Sequence, residues 1–432
     1  MQILTIRTVT TFLQLQASDF PKVVDDLPSS ALQTKINKYG SFLRRMEQEL
    51  SSAGYVIQTL RIATNPFGEW LVDDGDDSIL SSSDDDSSLV DDRLKLLDQA
   101  LSANDITFCS LGPARTVPEL SLCSKIVASS GKFSCSFVVD SGDVESALHA
   151  ADMILTISTL GDASNAPAFV QKGLGNFRFC AAASCKPYIP FFPAAKAASS
   201  TDVSGEAGGG VKFAIGLENG QAVRKLLGQC QSIQRIRPEF CNAMAELLQP
   251  VQALCEKVAA EQGAEYLGID SSFNPSLEDN GSIAEAIEQL HEIPAGFGGP
   301  GTLGAAAEIT QALQSLPGIK LTGYCGLMLP VCEDQRLADL ASNPDKEGNR
   351  LLRITDLLSI SSVCGVGVDT VPIPGDCTRE QLSALILDVA GIAGRWNKSL
   401  SCRVFPVPGK KAGEFTEFDS PYMVNARIFE ME

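Results

Sequence analysis

Two hydrophobic periods alternate along the chain. Apolar and β-branched residues dominate ILTIRTVTTFLQL (3–15), which predicts a strand. From Ser30 to Ala53 the spacing turns helical, with Leu32, Ile36, Phe42 or Leu43, Met46 and Leu50 on one face. YVIQTLRIAT (55–64) returns to the strand pattern, and the order recurs through ITFCSLGPA (106–114), a helical 116–129, FSCSFVVDS (133–141) and a helical 143–153. Further on come VKFAIGLENG (211–220), a helical run from Gln221 to Gln262 and EYLGIDSS (265–272). Helices near Ile283–Leu290 and Thr302–Leu316 follow, and then the apolar GIKLTGYCGLML (318–329). Strand–helix alternation predicts an α/β architecture with helices covering a sheet or barrel. No fixed-period repeat interrupts it, so residues 1–432 are expected to form one α/β domain.

Composition narrows this reading. Hydrophobic residues make up 44% and charged residues 20%, the balance of a globular protein with a sizeable core. The net charge of −19 is concentrated, because DDGDDSILSSSDDDSSLVDD (73–92) holds nine aspartates and removing it leaves about −10. This run reads as a flexible acidic insertion, and SSTDVSGEAGGG (199–210) as a second flexible, Gly/Ser-rich loop. Nucleic acid and anionic membrane both reward clustered Lys and Arg, so neither is an expected partner. The thirteen cysteines contain no C-x-x-C and are odd in number, which suits reduced thiols in a cytoplasmic protein better than a disulfide framework. With only His149 and His291 beside them, they do not make the close pairs of a structural zinc site. The first strand carries Arg7 where a signal peptide would be apolar, and no window approaches the ~18 apolar residues of a membrane span.

Candidate chemistry gathers where apolar strands end. FAIGLENG (213–220), YLGIDSSFNPS (266–276), GYCGLMLPVCEDQ (323–335) and SSVCGVGVDTVPIPGD (361–376) each run from an apolar strand through small residues to carboxylates or hydroxyls. In α/β folds ligands collect beyond the carboxyl ends of strands. Glu218, Asn219, Asp270, Ser271, Ser272, Glu333, Asp334, Asp369, Thr370 and Asp376 are therefore candidate pocket residues, although each alone is also what a turn or helix cap selects. GFGGPGTLGAAAEIT (296–310) opens a helix at Gly301 and Thr302, where backbone N–H groups either cradle an anion or simply make a tight, closely packed turn. It has neither a Gly-Lys-Ser/Thr nor a clean G-x-G-x-x-G. Cys364 is a candidate nucleophile, yet no histidine lies near it in sequence and a buried inert thiol is the favoured reading. Arg403, Lys410 and Lys411 lie on what reads as a Pro/Gly-stiffened loop, suited to an acidic substrate or to pairing with the carboxylates. Arg7 needs a carboxylate partner if it is buried.

LTIRTVT (4–10), PYIPFFPAA (187–195), FAIGLENG, LGIDSSFNPS, GFGGPGTLGAAAEIT, GYCGLMLPVCED, RVFPVPGKKAG (403–413) and FDSPYMVN (418–425) together resemble the domain of unknown function 711 family. The resemblance runs from the first strand to about Asn425. It implies a single large α/β barrel similar to the ten-stranded pyruvate formate-lyase type, in which a cysteine sits on a central loop and a glycyl radical lies near the C-terminus. By that analogy Cys364 would take the central position. The radical motif Arg-Val-x-Gly-Tyr is absent, Arg403-Val404-Phe405-Pro406 being the nearest match, so radical chemistry is not implied. The family pattern also places tyrosine and histidine after PFFPAA, where this chain has Lys196 and Ala197.

Two function classes follow. The first is an enzyme on a small anionic metabolite, with acid/base chemistry by Asp369, Asp376, Asp270 and Glu333 and with Cys364 as a further catalytic candidate. Glu218, Ser271, Ser272, Gly301, Thr302, Thr370, Arg403 and Lys410 would contact substrate. Glu333 and Asp334 could hold a divalent cation such as Mg²⁺. The second class is a non-catalytic binding or regulatory protein with the same small-molecule pocket. An apolar barrel exterior would admit a homodimer.

Overall fold

The computed structural model describes residues 4–72, 84–200, 210–342 and 351–431. The first alternation folds as its periods dictate. β1 (Thr5–Leu13) is followed by the helix Ala31–Ser52, capped by Ser30, whose hydroxyl accepts from the Gln33 amide. That helix buries Leu32, Ile36, Leu43, Met46 and Leu50, and the chain returns as β2 (Ile57–Thr64), parallel to β1. β3 (Phe108–Ala114), β4 (Phe133–Val138) and β5 (Phe179–Ala183) extend the parallel block. β6 (Lys212–Glu218) and β7 (Glu265–Asp270) add antiparallel to β1, while β8 (Gly367–Pro374) and β9 (Leu400–Val407) add antiparallel to β5. The result is one mixed sheet in the order β7-β6-β1-β2-β3-β4-β5-β9-β8. No helix among the described residues is long and apolar enough to cross a membrane.

Several elements depart from expectation, each for a local reason. β5 reads FCAAA, and alanine gives no β signal. The run from Gln221 to Gln262 is two helices, Gly220–Cys230 and Cys241–Gln262, because Gln231 takes a left-handed φ of 58°. The Asp-rich run lies outside the described residues over 73–83, but from Asp84 it belongs to the helix Asp84–Ser102, so it is not wholly a loop. Of the Gly/Ser run, 201–209 lies outside the described residues. Residues 361–376 supply the expected strand, β8, and Arg403, expected on a loop, lies instead within strand β9. GIKLTGYCGLML, expected as a strand, makes only single parallel bridges: Ile269 to Leu321 and Phe273 to Leu327 on one side, then Pro330 to Asp369 on the other. Its glycines explain why. A Cβ on Gly326 would stand 2.7 Å from the Gly365 amide nitrogen, so two glycine-rich segments approach backbone to backbone more closely than neighbouring strands with side chains would.

The hydrogen-bonded sheet is open, with β7 and β8 at its edges, so the expected closed ten-stranded barrel is not formed as one continuous ladder. The sheet is nonetheless strongly curled. Arg7 on β1 and Arg403 on β9 lie five strand positions apart in the sheet order, roughly 24 Å if it were flat. Both guanidiniums lie within 3.0 Å of the Glu333 carboxylate. Segment 185–198 crosses the face inside this curl. Thr10 donates to the Pro190 carbonyl, Ser110 donates to the Ala195 carbonyl and the Ala197 amide donates to the Thr64 carbonyl. Gly216 on β6 is required here, because a Cβ would stand 2.8 Å from the Phe191 ring. PYIPFFPAA thus runs inside the curl, and the Cys364 side chain lies in the main core.

Candidate functional site

Inside the curl lies a cavity of about 510 Å³, and two strand irregularities aim side chains into it. On β1 the pairing with β6 skips Arg7, and on β8 the pairing with β9 skips Thr370. Such bulges bend the strand and re-aim its neighbours, and they are common beside functional sites. Thr370 takes φ 45°, a conformation a β-branched residue avoids, and its buried hydroxyl has no hydrogen-bond partner among the described residues. Strain of this kind persists only where the surrounding structure over-determines it. Thr370 directly follows Asp369, which is the register partner of Arg403.

The two bulges join in a charged ladder. Glu218 accepts from Gln58 at 2.7 Å and from Arg7 at 2.5 Å. Arg7 continues to Glu333 at 2.9 Å, Glu333 accepts from Arg403 at 3.0 Å, and Arg403 forks onto both oxygens of Asp369 at 2.5 and 3.0 Å. Three carboxylates therefore alternate with two guanidiniums, and every carboxylate oxygen has a donor. Burial opposes the charge on Arg403, but Asp369 and Glu333 outweigh it and raise its pKa. Burial lifts the Glu218 carboxyl above its usual range, against the pull of Arg7 and Gln58. Glu218 is fixed from behind by an asparagine clasp: the Asn274 amide donates to Asn219 Oδ1, and Asn274 Nδ2 donates to the Leu217 carbonyl.

Arg61 stands apart from this ladder. It lines the cavity from β2 and is only 8% exposed, yet among the described residues no carboxylate pairs with it. Its Nε donates to Thr59 Oγ1 at 2.8 Å, and its guanidinium lies 5.4 Å from the Phe108 ring centre and 5.1 Å from that of Phe192. Burial, reinforced by the cation of Arg7, pushes its pKa down to about 9. The group is still protonated at neutral pH, in a setting that favours any anion brought to it.

Of the residues expected from sequence, Glu218, Glu333, Asp369 and Arg403 share this cavity. The others serve elsewhere. Asp270 accepts from the Ser272 amide and hydroxyl and from the Tyr324 and Cys325 amides, so it staples the turn 323–326. Ser272 in turn accepts from the Gly326 amide, and Ser271 donates to the Leu313 carbonyl. Asp334 accepts from Ser282, Ile283 and Leu337, tying two helix N-termini, so it presents no oxygens jointly with Glu333. Among the described residues no three His, Cys, Asp or Glu side chains are grouped around one ion position. A Cβ on Gly301 would stand 2.0 Å from the Glu292 carbonyl oxygen, and Thr302 accepts from the Gly298 amide, which is the tight-turn reading of that segment. Asp376 is exposed beside a shallow surface depression, and Lys410 pairs with Glu417 at 2.7 Å on the surface. Cys364 is buried in the main core, with burial raising its thiol pKa, and does not line the cavity. All thirteen cysteines are unpaired. Arg61, Phe108, Phe177, Tyr324 and Tyr422 were not anticipated. For Arg61 the signal was present: a lone arginine in an apolar strand, the same signal that marked Arg7.

A family model described as "Uncharacterised ACR (DUF711)" matches residues 1–420. The chain belongs to the DUF711 family. Curated relatives of this DUF711 protein carry the name UPF0210 protein. One from Limosilactobacillus reuteri (strain DSM 20016) is 30% identical over 198 residues, 43% of this chain and 42% of the relative. Those from Desulforudis audaxviator (strain MP104C) and Pyrobaculum islandicum are each 33% identical, over 38% of this chain and 35% and 36% of theirs. The alignments thus span about two-fifths of the length of these relatives.

Proposed function

We propose that this DUF711 protein binds a small organic acid by its anionic group at Arg61 and acts on it by proton transfer. The observation that carries the reading is the buried Arg61 guanidinium, which has no carboxylate partner among the described residues and faces a cavity of a size suited to small metabolites. A buried charge is normally paired, and here the pairing is left to a ligand. Arginine suits the role because its planar fork takes a carboxylate or phosphate through two hydrogen bonds. All three ladder carboxylates are bonded through both oxygens, Glu333 and Asp369 by guanidiniums alone and Glu218 by Arg7 and the neutral Gln58 amide. Glu218, with its pKa raised by burial, is the carboxyl suited to moving a proton at a carbon or oxygen of the bound acid. The parallel bridges from segment 321–330 to both sheet edges support the ten-stranded barrel reading, with the cavity inside it.

Thermal unfolding of wild type and Arg61→Met with succinate, citrate, acetate and phosphate tests the anion site. At least one of these anions should raise the midpoint of wild type and leave the variant unmoved. Equal shifts in both proteins would remove Arg61 from the role. Turnover separates an enzyme from a binding protein: deuterium uptake from D₂O into a bound acid should fall at least ~100-fold in Glu218→Gln. Unchanged uptake would exclude Glu218 as the proton carrier.

A further inference from the structure

We infer that the acid taken by this cavity has a flat, unsaturated body, and that Tyr422 is the residue that selects it. This rests on the anion reading of Arg61 and adds a substrate class to it. Aromatic residues are 6% of the chain, but they are six of the twenty-eight residues that line the cavity: Phe108, Phe177, Phe191, Phe192, Tyr324 and Tyr422. Charged ladders need no such walls. Rings of this kind favour a partner that can meet them edge to face or offset face to face.

The rings are also placed around the anion position. Phe108 is shared: the Arg61 guanidinium lies over its face at 5.4 Å, and the Tyr422 ring meets it at 6.1 Å and 66°. Tyr422 lies parallel to Phe177 within 8° at 6.1 Å, and Arg403 lies over Phe177 at 5.1 Å. An acid whose carboxylate forks onto Arg61 therefore extends its body along Phe108 towards Tyr422. Tyr422 is 40% exposed, and Leu277 on the same lining is 41% exposed. Both have apolar surface left to bury against a ligand. The tyrosine is nonetheless held in position. Its loop is tied at the base by Asn425, whose Oδ1 accepts from Thr416 and the Phe418 amide, and by the Val424 amide donating to the Cys332 carbonyl. Its tip carries no strand or helix that a substitution at Tyr422 would disturb.

The test is equilibrium binding to the full chain of four probes: 2-naphthoate, its saturated counterpart decahydro-2-naphthoate, the neutral 2-naphthamide, and succinate. Wild type, Arg61→Met and Tyr422→Leu are compared, with far-UV circular dichroism confirming that each is folded. Wild type should prefer 2-naphthoate over the saturated acid by about fivefold or more, the size of one good aromatic contact. Arg61→Met should bind 2-naphthoate at least about tenfold more weakly, at the level of the amide. Tyr422→Leu should lose most of the preference for the flat acid while keeping its affinity for succinate within about twofold. Equal affinity for the flat and saturated acids in wild type would overturn the substrate class, and a preference that survives in Tyr422→Leu would overturn the assignment of Tyr422 as its selector. Either result leaves the anion site standing if succinate or the saturated acid still depends on Arg61. If no acid depends on Arg61, the anion reading falls and this inference falls with it.

Discussion

Replacing Glu333 with glutamine interrupts the charged ladder at its centre while keeping its volume. Glu333 is 6% exposed and is the only ladder carboxylate that touches both guanidiniums, Arg7 at 2.9 Å and Arg403 at 3.0 Å. In Glu333→Gln one carboxamide oxygen can still accept from one arginine, but the amide nitrogen is a donor set against the other. One charge-assisted hydrogen bond is lost outright, worth about 1.5–3 kcal/mol, and the second becomes an ordinary one. Removing a partner from a buried ion pair typically costs about 3–5 kcal/mol. The cost here is lower, because Arg7 keeps Glu218 and Arg403 keeps Asp369. A loss of about 2–4 kcal/mol is expected. Urea unfolding followed by circular dichroism reads it as a lower midpoint with an unchanged slope, which is the signature of a stability change rather than of altered compactness. A loss below about 0.5 kcal/mol, the scale of a surface ion pair, would show that the ladder is not the buried network described.

Four further outcomes are expected. Arg61→Met should be more stable than wild type by up to about 1–2 kcal/mol in urea, because an apolar side chain replaces a buried unpaired cation, and a clear loss of stability would contradict that account. Asp270→Asn should lose about 2–4 kcal/mol, since a carboxamide turns a donor towards N–H groups that now meet carboxylate oxygens; a neutral result would mean that turn 323–326 is not stapled by it. Burial acts to raise the Glu69 pKa, but hydrogen bonds from Asn65, Ser199 and Ser200 prevail and lower it. The stability Glu69 contributes is therefore present above the unfolded carboxylate range and is lost as pH falls through the lowered folded value, so wild type and Glu69→Gln should converge below about pH 4. Thiol titration of the native protein should find at most the partly exposed Cys185 and Cys241, and fast modification of Cys364 would contradict its burial.

The alternation of periods was enough to place most of the parallel block, because each strand and its covering helix bury their own apolar faces locally. What it did not place depends on distant chain. β9 leads into a Pro/Gly-rich stretch that reads as loop, yet it pairs in register with β8 on one side and β5 on the other. Segment 318–329 reads as a strand because it is apolar, yet close contact between Gly326 and Gly365 turns it into isolated bridges. At the site, the grammar of carboxylates at strand ends found Glu218, Glu333 and Asp369. It also drew in Asp270 and Asp334, whose residue types are identical but whose oxygens are taken by backbone amides. Which of the two fates a carboxylate meets is decided by partners more than fifty residues away, as Tyr324 is from Asp270 and Ile283 from Asp334. Arg61 carried a local signal and could have been found by the reasoning that marked Arg7. Tyr422 carried none, since only the curl of the sheet brings the C-terminal loop over the cavity.

A crystal structure of the protein soaked with 2-naphthoate tests the central claim most directly. Both carboxylate oxygens should lie within about 2.7–3.0 Å of the Arg61 guanidinium, with the ring system against Phe108 and Tyr422. A naphthoate found in the cavity with its carboxylate turned to solvent, or bound elsewhere while Arg61 keeps only Thr59 and its two rings, would contradict it.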